Sequence, residues 1–142
     1  MNNIKEELME YVNSLKNFNS HNNITITKIE NNYAQGVCKI TKNSLNPLGT
    51  AHGGVIYSLA DAVMGMAAAS TGKKLVTQCS NISYFKSVTK GNIRCDSTCL
   101  KEGKNVSVFD AKIYDDNNNL IAYGTFNAYF MGNIDIEKDI IK

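Results

Sequence analysis

Histidine occurs only twice, and none of the four cysteines, Cys38, Cys79, Cys95 and Cys99, forms a C-x-x-C pair. A zinc site is therefore not expected, and no other metal is called for. The thiols read as reduced, mostly buried groups of a cytoplasmic protein. The first residues, Met1 to Leu8, lack the basic-then-apolar pattern of a signal peptide, which agrees with that compartment. Charge of one sign is not in excess: 15 basic residues meet 13 acidic ones, a formal charge of +2. A dedicated nucleic-acid binder would carry a strong basic patch, so no nucleic-acid partner is expected. Glycine-rich phosphate loops, internal repeats and low-complexity linkers are missing as well. Proline occurs once, at Pro47.

What remains is an ordinary globular composition. The 142 residues are 43% hydrophobic and 20% charged, which suits one packed domain spanning 1–142. Residues 4–17 space Ile4, Leu8, Tyr11, Val12 and Leu15 as one face of an amphipathic helix, so 1–21 reads as a helix and turn. Alternation predicts strands over 24–30 and 33–41, joined at Asn31-Asn32. A loop carrying Pro47 follows. His52 to Ser70 is a nearly unbroken run of apolar and small residues, 19 long. That length suits a helix rather than a strand. Asp61 at its centre and its many Ala, Gly and Ser residues argue against a membrane span and for a buried central helix. Strands are predicted over 75–87, 92–101, 106–115 and 120–130, with links short enough for a four-strand antiparallel meander. Residues 134–142 read as a loose tail. The fold class is α+β, a curved antiparallel sheet wrapped around a long helix, with open edges that invite a second copy.

The chemistry concentrates in Asn46 to Asp61, N-P-L-G-T-A-H-G-G-V-I-Y-S-L-A-D. Each member has an ordinary alternative: a turn for Asn46, a helix start for His52, close packing for Gly53 and Gly54, a structural hydrogen bond for Asp61. Asp61 is the hardest to set aside, because a carboxylate in an apolar helix costs several kcal/mol unless it is paired or wet. Together they suit hydrolysis of an acyl derivative. A helix start offers unpaired N–H groups, and glycines let a carbonyl approach them. That is an oxyanion site, to which the Asn46 amide can add a donor. Asp61 can act as general base or attack directly. His52 and Asp61 lie roughly 13 Å apart along a helix axis. If both serve one site, Asp61 comes from another subunit.

The N-x-x-G-x-x-H-G-G-x-x-x-x-L-A-D pattern resembles the hotdog-fold acyl-CoA thioesterases of the phenylacetyl-CoA (PaaI-like) type. Val76 to Phe85 and Glu102-Gly103-Lys104 resemble a later strand and turn of the same family, although Lys86-Ser87 stands where many members have Arg-Pro. The resemblance implies that Asn46 and the Gly53 N–H polarise the thioester carbonyl and that His52 helps place the Asn46 loop or the thioester end. It implies that Asp61 of a partner subunit is base or nucleophile, and that Thr77 helps hold the water. It also implies a homodimer with shared sites, pairing again into a dimer of dimers, and no cofactor beyond the coenzyme A of the substrate. Gly54, Lys86, Lys101 and Lys104 are candidates for substrate binding, with Lys73, Lys74, Lys90 and Arg94 less favoured. Alternatives are a hotdog hydratase or dehydratase, and a non-catalytic acyl-CoA-binding protein.

Overall fold

A computed structural model describes residues 3–140. Helix α1 (Ile4–Ser14) starts at Asn3, whose side chain accepts the Lys5 N–H at 3.1 Å. It ends earlier than the periodicity suggests. Asn17 then caps a second, short helix α2 (Phe18–His21) within the expected polar turn. Strands β1 (Ile24–Glu30) and β2 (Tyr33–Ile40) form a hairpin whose Asn32 has a φ of 57°, a left-handed conformation that asparagine tolerates. The long helix α3 (Gly53–Ala69) follows, then β3 (Lys73–Tyr84), β4 (Gly91–Lys101), β5 (Val106–Tyr114) and β6 (Leu120–Asn133). No helix among the described residues is long and apolar enough to cross a membrane.

The six strands form one antiparallel sheet in the order β1-β2-β4-β5-β6-β3. Helix α3 touches every strand. A flat sheet of six strands is about 24 Å wide. A helix about 10 Å across reaches all of them only if the sheet curls around it. This enclosure explains why α3 is apolar over most of its circumference: Val55, Ile56, Leu59, Val63, Met64 and Ala68 are buried on its sheet-facing side, and a stripe along Gly54, Ser58, Asp61 and Gly65 stays partly open. Phe109, Phe126, Ile93, Ile113 and Ile121 fill the space between helix and sheet. Ser70 ties down the helix end. It accepts the Asn32 N–H at 2.8 Å and donates to the Ala67 carbonyl at 2.7 Å.

The expected four-strand meander is corrected. Only β4, β5 and β6 follow one another in space, and β3 pairs with β6 at the sheet edge. The β3–β4 link, residues 85–90, has six residues and can extend about 20 Å. It needs to cross only about 14 Å, three strand spacings. On the way the Phe85 and Lys86 N–H groups donate to the Ile121 carbonyl, and the Val88 carbonyl accepts the Ala51 N–H at 2.7 Å. The segment therefore passes under the start of α3. Turn-like composition reveals that a link is short, not where it leads.

The segment read as a loose tail is held as far as residue 139. The Ile134 N–H donates to the Gly72 carbonyl at 2.8 Å, and Lys74 lies 3.6 Å from Asp139. Residues 141 and 142 lie outside the described residues. The thiols are free, but not as uniformly buried as expected: Cys38 and Cys95 are buried, Cys99 partly, and Cys79 is exposed on β3. Burial pushes the Cys38 thiol up to about 11.

Helix and sheet approach each other closely at Gly36 of β2. A Cβ there would lie 2.7 Å from Val63 Cγ2 and 3.0 Å from the Thr25 carbonyl oxygen. Gly36→Ala is expected to lose about 1–3 kcal/mol by overpacking, read as a lower denaturation midpoint with an unchanged m-value. Wild-type stability in this variant would show that the helix can shift away from the sheet.

Candidate functional site

The loop before α3 is built around Asn46. Its Oδ1 accepts the N–H groups of Leu48 and Thr50 at 3.0 and 3.1 Å, and its Nδ2 donates to Thr50 Oγ1 at 2.8 Å. The amide shapes its own turn and retains one Nδ2 hydrogen for another acceptor. His52 is the N-cap of α3: its Nδ1 accepts the Gly54 N–H at 2.8 Å. That bond places the imidazole proton on Nε2. It also removes Gly54 from the unpaired donors of the helix start. Among the described residues the Gly53 N–H has no acceptor.

Gly53 is fixed from its other side. Tyr84 at the end of β3 donates its hydroxyl to the Gly53 carbonyl at 2.8 Å, and a Cβ on Gly53 would meet that ring at 3.3 Å. Burial, followed by the nearby Tyr57, raises the Tyr84 phenol above its ordinary value, which keeps it a donor. Asn46, Thr50, Gly53, Tyr84, Phe85 and Lys86 line one hollow of about 300 Å³. His52 and Gly54 face a different hollow, beside Phe18, Asn22 and Ser44. The helix start thus separates the candidates: Asn46 and Gly53 share a surface that His52 and Gly54 do not.

Asp61 lies two turns further along α3, half-buried, with Thr77 Oγ1 donating to its Oδ1 at 2.6 Å. Thr77 precedes an irregularity in the β3–β6 register, a bulge between Thr77 and Cys79. Such bulges re-aim a side chain, here toward the helix. The second carboxylate oxygen has no hydrogen-bond partner among the described residues. Asp61 and Thr77 border a groove of about 580 Å³ running between α1, α3 and β3. The Gly53-to-Asp61 rise is about 12 Å. Within one chain the carboxylate and the free N–H therefore stand at separate hollows.

The lysine candidates divide in the same way. Lys86 lines the Asn46 hollow, with its ammonium 3.6 Å from Asp115, whose carboxyl the Asn119 side chain and backbone hold below the usual range. Lys101 and Lys104 are exposed at the opposite end of the sheet, where Asn105 accepts the Phe130 N–H. Lys73 lies over the Phe130 ring at 4.6 Å, Lys74 lies beside Asp139 at the groove, and Arg94 stacks on Tyr114. No three His, Cys, Asp or Glu side chains among the described residues gather where they could hold a metal ion. Sequence reasoning missed Tyr84 and Gly65. An aromatic closing a predicted strand does not reveal that it packs on a helix start. Nor does a glycine within an apolar helix reveal that it floors a groove.

Four likenesses bear on this arrangement. A profile of the thioesterase superfamily matches residues 48–122, which include Gly53, Asp61 and Thr77. A Streptococcus mutans UA159 protein whose crystal structure holds acetyl-CoA is 28% identical, with a TM-score of 0.79 over 86% of this chain and 97% of that one. A hypothetical thioesterase protein with coenzyme A from Streptococcus pneumoniae TIGR4 is 27% identical, with a TM-score of 0.76 over 80% and 92%. The PaaI protein of E. coli, from its phenylacetic acid degradation operon, is 20% identical but superposes with a TM-score of 0.84 over 92% and 96%. The sheet wrapped around α3 is the hotdog fold.

The His52 geometry has a direct test. His52→Ala removes the cap of α3 and is expected to cost about 1 kcal/mol in chemical denaturation. His52→Ser supplies another cap and should recover most of that loss. If alanine is neutral, the Nδ1 contact does not hold the helix start.

Proposed function

The chain belongs to the thioesterase superfamily, and we propose that the thioesters it hydrolyses are acyl-CoAs, at sites that each combine two copies of the chain. One observation carries the two-copy reading. The free Gly53 N–H and the Asp61–Thr77 pair occupy separate hollows about 12 Å apart along one helix. No small reacting centre touches both within a chain.

Strand β3 offers a way to join them. It is one of the two sheet edges, 12 residues long and largely exposed, and such edges pair with other strands. Thr77, beneath Asp61, lies in its first half. Tyr84, beneath Gly53, is its last residue. Antiparallel pairing of β3 with its own copy reverses the ends. It carries Asp61 of the partner subunit toward the Asn46–Gly53 hollow, and the Lys101–Lys104 end of one sheet toward Lys86 of the other. A two-fold dimer then has two equivalent sites. Pairing of such dimers into a tetramer is part of the same reading.

In this site the thioester oxygen accepts from the Gly53 N–H and the remaining Asn46 Nδ2 hydrogen. Both donors are already fixed, and such preorganised donors favour the charge that develops on that oxygen. Asp61 of the partner subunit, steadied by Thr77, draws a proton from water as it adds to the carbonyl carbon, or adds to that carbon itself to form a mixed anhydride, which water then hydrolyses to the free acid and the aspartate. Collapse breaks the carbon–sulfur bond and releases the thiolate of coenzyme A, which takes up a proton. Lys86, with Lys101 and Lys104 of the other chain, attracts the coenzyme phosphates. Gly54 contributes by donating its N–H to the His52 cap, which leaves Gly53 as the free donor. No metal or further cofactor enters the scheme. Four unpaired cysteines suit work in the reducing cytoplasm.

Purified protein is expected to release thiol from at least one member of an acyl-CoA panel without added metal, with crotonyl-CoA hydration measured in parallel. Asp61→Asn should slow turnover by around 10²-fold or more while the protein stays folded. Near-normal turnover would reduce Asp61 to a structural partner of Thr77.

The shared site is tested by mixing. Asp61→Ala and Asn46→Ala are each expected to be nearly inactive. When they are unfolded and refolded together, half the dimers are mixed, and each mixed dimer holds one intact site. About a quarter of wild-type activity should return. No recovery, with exchange verified by differently tagged chains, would place the whole site within one chain.

A further inference from the structure

The groove beside Asp61 has features that hydrolysis of a small acyl group does not require. It continues for two helical turns beyond the carboxylate, along Gly65 and Ala69. Residues at intervals of four share one helix face, so the floor runs about 12 Å from Asp61 to Ala69. Leu8 and Val12 of α1 form one wall and Leu75 of β3 the other. The α1 wall is anchored. The Asn13 side chain accepts the Ile26 N–H at 2.9 Å and donates to the Ile26 carbonyl at 2.8 Å, which fixes the helix to the first strand. The near end is polar, at Asp61 and Thr77, and the far end closes on the Lys74–Asp139 ion pair.

Gly65 stands in the middle of the floor. A Cβ built on it has nothing within 4 Å, so neither packing nor backbone conformation demands a glycine there. Glycine weakens a helix relative to alanine. Its effect here is to keep the groove open one turn past the carboxylate.

We propose that this groove binds the acyl group, and that its occupant is an unbranched aliphatic chain of medium length. The proposal rests on the thioesterase reading and extends it to the substrate class. The chain that supplies Asp61 also holds the acyl tail, while its partner holds the carbonyl and coenzyme A. An acyl group of roughly eight to ten carbons spans the ~12 Å of floor from Asp61 to Ala69. Each further methylene buried along it strengthens binding by about fourfold. That gain ends where the chain meets Lys74 and Asp139. A compact aromatic acyl group fills only the part next to Asp61 and leaves the rest of the apolar floor wet.

The test measures kcat/KM for straight acyl-CoAs from acetyl to palmitoyl, with phenylacetyl-CoA alongside. It uses wild-type protein, Gly65→Ala and Gly65→Leu. In the wild type, kcat/KM is expected to climb with chain length to an optimum near octanoyl or decanoyl. Gly65→Leu puts a side chain across the floor and should lower the decanoyl-to-butyryl ratio of kcat/KM by about tenfold or more. Gly65→Ala, with a single added methyl, should move the ratio the same way by less, and decides the matter if the leucine variant does not fold. A preference for acetyl- or phenylacetyl-CoA, or equal losses on both chain lengths, would overturn the proposal. Decanoate binding by calorimetry separates this failure from that of the catalytic reading. If decanoate binds the wild type and Gly65→Leu weakens it, the groove assignment stands even without hydrolysis of any ester, and only the thioesterase reading falls. If esters are hydrolysed without regard to length and decanoate does not bind, the groove assignment falls and the thioesterase reading stands.

Discussion

Helix α3 lies inside a sheet that curls around it, and that enclosure governs most of the molecule. A helix with contacts to six strands keeps one stripe partly open to solvent, along Gly54, Ser58, Asp61 and Gly65. Elsewhere its residues must be apolar or small, and a strand packed against it must yield space, as Gly36 of β2 does opposite Val63. In such a setting one carboxylate is conspicuous. Asp61 is tolerated because Thr77 donates to it and because a groove leaves its other side open. The carboxylate that an apolar helix accommodates least readily is thus the one that borders a groove.

The start of the same helix shows how similar neighbours diverge in role. Gly53 and Gly54 both lie in the first turn, where N–H groups lack intrahelical acceptors. His52 satisfies Gly54 through its Nδ1, so one donor is used for the fold. Gly53 keeps its N–H free while Tyr84 holds its carbonyl, so the other remains for a ligand. Asn46 divides its own functions likewise, with the oxygen committed to the loop and part of the amide free. Capping and loop hydrogen bonds fix the orientation of donors whose value to an oxyanion depends on their not having to move.

The free N–H donor at the start of α3 and the carboxylate two turns on stand at separate hollows of one chain. The edge strand β3 lies beneath both, Thr77 under the carboxylate and Tyr84 under the glycine. Fold and proposed assembly therefore meet in one element. The strand order also explains the position of that edge. The chain leaves α3 on the far side of the sheet, and the six-residue link then returns under the helix start to reach the free side of β2.

Local pattern accounts for a large part of this protein. Period-2 alternation marks the first two strands, and an apolar run too long for a strand marks α3, to within a few residues, because burial on one face or on nearly all faces leaves a direct trace in residue type. The motif from Asn46 to Asp61 was legible for the same reason: a histidine, two glycines and a carboxylate in an apolar run have few purely structural explanations in common. The sequence resemblance led to the hotdog arrangement. Tertiary structure alone decided which strands are neighbours, since β3 and β4 are consecutive in the chain and three spacings apart in the sheet. It decided that His52 turns away from Asn46 and that Tyr84 seats Gly53. It decided, too, that the apolar face of α1, with Gly65, borders a groove rather than a closed core. These are relations between residues far apart in the chain. Periodicity records whether a side chain is shielded from water, and it carries no label for which distant element does the shielding.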